Sequence, residues 1–246
     1  MAKLLSHRSV RSFAPLPLEE GTLEALIAAA QSAATSSNLQ AWSVVAVEDA
    51  GRKARLSELA GRQKQVMEAP LLLVWLADLS RLAVLGAERG QQTDALDYLE
   101  MLFVAVIDAA LAAQNATVAA ESLGLGTVYI GALRNHPEAV AAELALPPRV
   151  LPVFGLCIGH PDPSVVTGVK PRLPQSAVLH RETYSGPASA ADVRGYDAAI
   201  TAFQAEQAIA QVPWSQQALA RVAGPQSLSG RDRLKDALVA LGFPLR

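Results

Sequence analysis

Between residues 18 and 33, apolar side chains fall at positions 23, 26, 27 and 30, the three-to-four spacing that gathers them on one face of an α-helix. A short helix over residues 2–10 precedes it, stopped near Pro15 and Pro17. Residues 32–40, SAATSSNLQ, form a polar loop whose hydroxyl and amide side chains bond nearby backbone. Residues 42–47, WSVVAV, predict a strand, and residues 70–77, PLLLVWLA, predict a second that is apolar on both faces and so lies inside a sheet, covered by helices. One long helix follows over 94–123, ended by Gly124, then a strand over 127–131, a helix over 137–146 and a strand over 150–158. Residues 159–178 carry four prolines and two cations and read as a loop, and the tail is helical over 192–209, 215–223 and 231–241. Without an internal repeat or a clear linker, the pattern describes one α+β domain over residues 1–246, with a central sheet of four or five strands among many helices.

Composition narrows the function. The chain is 51% hydrophobic and 18% charged, ample for a packed core, and its net charge of −2 offers no basic face for nucleic acid. Residues 101–120 are the one stretch with the length of a membrane span, but Asp108, Gln114 and Asn115 interrupt it and alanine dominates. A helix buried in protein or at a subunit interface fits better, and no membrane partner is expected. A single cysteine, Cys157 in an apolar run, and the absence of a visible signal peptide point to a reducing cytoplasm.

Several familiar chemistries lack their parts. GLGTVYIG at 124–131 has Tyr129 where a dinucleotide fingerprint needs its third glycine, and a helix precedes it where a strand should. Histidines 7, 136, 160 and 180 are scattered, so no metal is expected, and neither a Gly-x-Ser-x-Gly elbow nor a Walker loop occurs. An organic cofactor is the better expectation. Two cationic stretches, His7-Arg8-Ser9-x-Arg11 and Lys170-Pro171-Arg172, would together suit a phosphate monoester, which carries about −1.5 to −2 charge and three strong acceptors.

The segments HRSVRSF, TSSNLQAWSVV, GRQKQV, AAQNATVAAESLGLGTVYIGALRN, LPVFGLCIGHP and VKPRLPQSAVLHRETY follow one another over roughly residues 5–185. In these the chain resembles the FMN-dependent nitroreductase family, in the branch of oxygen-insensitive NADPH nitroreductases and NADPH-flavin oxidoreductases. The resemblance implies a mostly antiparallel sheet, an intertwined homodimer with FMN at its interface, and a helical C-terminal extension over 186–246. It implies that His7, Arg8 and Ser9 hold the FMN phosphate with Lys170 and Arg172, and that Arg11 faces the pyrimidine edge of the ring, where a cation stabilises charge on reduction. Gln63 matches a second ring contact. Tyr129, Ile130, Gly131 and Ala132 match the strand end lining the flavin, although Ala132 stands where a second glycine is expected. Thr35, Ser37 and Leu39 match contacts made from the second subunit.

The implied activity is ping-pong hydride transfer from NAD(P)H through flavin N5 to nitroaromatics or quinones, two electrons at a time, with no catalytic side chain required. Two alternatives are a flavin reductase supplying a partner monooxygenase and a non-enzymatic flavin-binding or redox-sensing module. One departure affects the electron donor. Residues 201–220, TAFQAEQAIAQVPWSQQALA, hold no lysine or arginine where the branch carries arginines for the NADPH 2′-phosphate, so NADPH preference is expected to weaken and NADH to be accepted. Segments 79–92 and 212–230 are read as loops rimming a broad acceptor pocket.

Overall fold

The computed structural model describes residues 1–246. In chain order the helices are α1 (Ala2–Leu5), α2 (Thr22–Gln31), α3 (Ala50–Leu59), α4 (Lys64–Glu68), α5 (Ser80–Arg89), α6 (Leu99–Ser122), α7 (Pro137–Glu143), α8 (Ala190–Glu206), α9 (Trp214–Arg221) and α10 (Leu234–Ala240). Strands β1 (Trp42–Val47), β2 (Leu71–Asp78), β3 (Gly126–Ile130) and β4 (Val150–Gly159) pair in the order β1–β2–β4–β3, antiparallel throughout. The chain divides into two compact units, residues 1–165 with 230–246, and residues 166–229.

The sheet organises the first unit. Every residue of β2 is buried, as its apolar sequence requires of an inner strand. Strand alternation sends Leu72, Val74 and Leu76 into one core with Val10, Phe13, Leu56, Val66 and Val140, the layer built on α3, α4 and α7. Leu71, Leu73 and Trp75 enter the opposite core with Leu26, Ala112 and Ala116 from α2 and α6. The alanines of α6 allow this close approach to the sheet. By length and composition α6 could cross a membrane, but half of its most apolar window is buried within the chain. Its other face leaves Leu99, Phe103, Ile107 and Leu111 about half exposed, an i, i+4 stripe that the chain itself does not cover.

Three elements differ from the pattern-based expectation. The helix expected over 2–10 ends at Leu5, because the following residues leave it to pair elsewhere: Ser9 bridges Thr127, the Val10 amide donates to Thr127 O at 2.9 Å, and Phe13 bridges Pro161. The segment 79–92, expected as a loop, is mostly α5, closed by Gly90 in the left-handed region (φ 61°). The long helix starts at Leu99, not residue 94, because Asp94–Asp97 is a 3₁₀ turn and Tyr98 is extended. Helices α3 and α4 have no clear apolar periodicity in the sequence. Asp49 caps α3 by accepting from the Arg52 amide at 2.7 Å, but the helix is largely polar and buries Lys53 and Ser57 beside Leu56.

The second unit is a pair of helices tied at several points. Ser189 and Asp192 form a reciprocal capping box at the start of α8. Asp197 accepts from the Ser215 amide (2.8 Å) and hydroxyl (2.7 Å) at the head of α9. Gln204 makes two hydrogen bonds to the Val212 backbone, and Tyr196 meets Trp214 edge-on with ring centroids 5.5 Å apart.

Candidate functional site

The extended run from His7 to Phe13 places the N-terminal cations. Val10 and Phe13 turn inward and are buried, so Arg8 and Arg11 face outward. The Ser9–Thr127 bridge lays this run along the start of β3, whose far end leads to Ile130, Gly131 and Ala132. Two groups of predicted site residues, well over 100 positions apart in the chain, are therefore neighbours. Arg8 lines a cavity of about 100 Å³ with Lys3, Ser6 and Glu121. His7 Nδ1 lies 2.5 Å from a Glu121 carboxylate oxygen, and Lys3 donates to the Glu121 carbonyl at 3.0 Å.

Close packing sets the register of this run. A Cβ on Gly126 would lie 2.7–2.8 Å from Val10 Cβ and both its Cγ atoms, closer than such atoms approach. Gly126→Ala must therefore displace Val10 and the cations beside it. We expect a loss of about 1–3 kcal/mol from this overpacking, a melting temperature lower by roughly 3–10 °C, and weaker binding of any anion held by the run. Unchanged melting and binding would mean that Val10 does not anchor it.

Tyr129 is the one exposed residue of β3. Its hydroxyl lies 3.0 Å from Thr117 Oγ1 and 3.5 Å from Gln114 Oε1, both on α6, and its ring meets Phe154 edge-on. Burial of the phenol pushes its pKa up, the Thr117 hydrogen bond opposing, so it stays neutral at ordinary pH. Gly131–Asn135 continues from β3 as a 3₁₀ turn, held by Arg134, whose guanidinium donates to Val153 O. Gln63 precedes the first residue of α4, and its side-chain oxygen accepts from Gln65 Nε2 at 2.7 Å.

The remaining predicted residues belong to other elements. Thr35, Ser37 and Leu39 sit in the loop before β1, tied to α6 through Asp108, nine residues or about 13.5 Å along the helix from Thr117. Lys170 and Arg172 belong to the second unit, where both are exposed; Tyr196 donates to Pro171 O at 2.9 Å and Arg172 to Lys170 O at 2.6 Å. Asp108, Thr117 and Glu121, which hold predicted site residues in place, were not singled out for that role by any motif.

Arg52, Arg55, Arg62, Arg149, Arg233 and Arg246 each meet a carboxylate, and among the predicted site residues so does His7, with Glu121. Arg11, Lys170 and Arg172 form no ion pair, a state they share with cations elsewhere such as Arg89 and Arg194. Cys157 is no nucleophile: burial pushes its thiol up to about 12, Lys53 only partly offsetting it.

Residues 4–160 match the model of the nitroreductase family, and residues 170–246 match that of the family's C-terminal domain. The chain belongs to the nitroreductase family. Among its curated relatives within this family, an FMN reductase (NADPH) from Bacillus subtilis is 46% identical over 183 residues, covering 74% of this chain and 73% of that protein. An NADPH-flavin oxidoreductase from Vibrio harveyi is 36% identical over 223 residues, 90% of each chain. Among solved structures, a B. subtilis nitroreductase superposes with a TM-score of 0.90 at 39% identity, covering 99% of this chain and 98% of that one. The V. harveyi NADPH:FMN oxidoreductase in complex with NAD+ gives 0.87 at 34% identity, covering 100% and 98%. The antiparallel α+β fold of this nitroreductase is thus the one its sequence resemblance implied.

Proposed function

We propose that this nitroreductase is a homodimeric, cytoplasmic, FMN-dependent NAD(P)H oxidoreductase that reduces nitroaromatics and quinones by two electrons. The observation that carries this reading is the Ser9–Thr127 bridge, which aligns a cationic run with the strand ending in Tyr129–Ala132. A run carrying His7, Arg8 and Arg11 at one end and a strand end with the partly exposed Tyr129 at the other match a cofactor with a phosphate tail and a planar ring.

In this reading His7, Arg8 and Ser9 bind the phosphate together with Lys170 and Arg172. Gln63 and the backbone of Ile130–Ala132 orient the ring from the Tyr129 side. Arg11 is exposed and forms no ion pair, so it is available to stabilise negative charge at the pyrimidine edge. Thr35, Ser37 and Leu39 reach the ring from the second protomer, which requires a dimer, and the uncovered stripe on α6 supports one. When bound, FMN would supply the hydride chemistry, at its N5. The protein's part is to position and to set electrostatics, so no nucleophile or general acid is needed.

The test is anaerobic. The purified yellow protein should bleach with NAD(P)H and regain its colour on adding nitrofurazone or benzoquinone; failure of either step would refute an oxidoreductase and leave the flavin-binding module. A second reading, reduction of free flavin for a partner monooxygenase, is favoured by the names of the B. subtilis and V. harveyi relatives. A low-micromolar KM for free FMN with poor nitro reduction would select it.

The donor preference follows from the second unit. Residues 201–220 carry no cation, and Arg221 donates its guanidinium to the Ser227 carbonyl. We expect kcat/KM for NADH and NADPH to agree within about tenfold. A preference for NADPH of about a hundredfold, worth ~2.7 kcal/mol, would mean that other residues grip the 2′-phosphate.

A further inference from the structure

Asp108 is a buried carboxylate, 1% exposed, in the middle of an apolar helix, and it forms no ion pair. Its partners are backbone amides: Ser36 N donates to Oδ1 at 3.0 Å and Ala41 N to Oδ2 at 3.2 Å. Burying a charge is costly, and two amide dipoles are modest compensation. The two amides bracket residues 36–41. Inside that bracket Ser37, Asn38 and Gln40 all adopt positive φ (49°, 55° and 51°), a left-handed conformation that non-glycine residues avoid. Three such residues in a four-residue span persist only where the surroundings over-determine the backbone. Asp108 holds the amides at both ends of this span, and Arg81 adds a tie within it by donating to Gln40 O at 2.7 Å.

We propose that Asp108 is a positioning residue for the flavin: it holds the 35–40 loop in its strained form, and through that loop one protomer shapes the cofactor site of its partner. This inference rests on the proposed FMN site, in which Thr35, Ser37 and Leu39 serve the other subunit. A carboxylate suits the task because it offers two acceptors to two amides. An asparagine offers one, and turns an NH₂ donor toward the other amide.

Asp108→Asn is therefore expected to remain dimeric and cooperatively folded, but to bind FMN about thirtyfold more weakly, the effect of leaving one buried amide unsatisfied. The visible circular dichroism of its bound flavin should change as well, because the loop meets the ring. The decisive measurement is complementation in trans. Arg8→Ala impairs the phosphate end of its own chain, and Asp108→Asn impairs the loop offered to the partner. A tagged heterodimer of the two therefore holds one intact and one doubly impaired site, although each parent homodimer is weak at both. FMN titration should reveal one wild-type Kd per heterodimer.

A heterodimer lacking any tight site would overturn the proposal, because Asp108 would then act within its own subunit. A folded Asp108→Asn protein with wild-type affinity would overturn it too. Should that variant fail to fold, Ser36→Pro decides: it deletes one donor and leaves the carboxylate, and Thr35 is already extended (φ −130°, ψ 151°) as a residue before proline must be. Weakened FMN binding by this variant supports the proposal, and wild-type binding overturns it. A wild-type protein that takes up no FMN would instead refute the flavin reading, and this inference with it.

Discussion

The double variant Lys170→Ala, Arg172→Ala should purify colourless, with FMN affinity lowered about a thousandfold. A phosphate monoester presents about two negative charges, and each charge-assisted hydrogen bond is worth roughly 1.5–3 kcal/mol. Two such bonds would give ~3–6 kcal/mol, and exposure of both side chains discounts this to ~4 kcal/mol. Neither residue pairs with a carboxylate, and Arg172 bonds only to the backbone of its own tripeptide, so the melting temperature should hardly move. Riboflavin, which lacks the phosphate, should bind wild type and variant alike. Arg11→Ala should behave in the opposite way. It stays yellow, with Kd changed only a few-fold, but its two-electron potential falls by about 30 mV, equivalent to ~1.4 kcal/mol. A colourless Arg11→Ala, or a double variant that keeps its flavin, would reverse the assigned roles.

The fold was legible where burial dominates. Strands β2 and β4 differ from their predicted limits by a residue, because a strand buried on both faces shows as an unbroken apolar run, and the partly exposed β1 matches its limits through its β-branched sequence. Legibility failed where the buried face is thin or polar. Helix α3 hides Lys53 and Ser57 beside Leu56, so its periodicity is faint, and α5 buries only Gly86. Residues 6–10 looked helical, but Val10 satisfies its amide on Thr127, which no local pattern can announce. The site divides in the same way. Its cations and strand end stand in contiguous motifs and could be read through the family resemblance. Glu121 and Asp108 are ordinary acids inside a helix, with partners 114 and 72 positions away, so only the folded chain reveals what they hold.

Ile107→Asp should give a monomer without FMN. Leu99, Phe103, Ile107 and Leu111 are 43–55% exposed along one stripe of α6, although the opposite face of the helix lies in the core. Such a contiguous apolar stripe in a chain with a filled interior calls for a partner surface. Two-fold symmetry presents each residue of a self-associating face twice, so a single substitution introduces two buried charges. At a few kcal/mol for each unpaired group, the cost exceeds ~4 kcal/mol and should raise the dimer dissociation constant at least about a thousandfold. Light scattering should find the monomer at micromolar concentration, with circular dichroism still native because Ile107 lies outside the core. Flavin loss should accompany dissociation, since in the proposed site the 35–40 loop would no longer reach the other protomer's flavin ring. Excess FMN should then pull the variant back toward dimer, by the linkage that stabilises any state a ligand prefers. A variant that remains dimeric and yellow would move the interface away from α6. A monomer that binds FMN as tightly as wild type would instead confine the whole cofactor site to one chain.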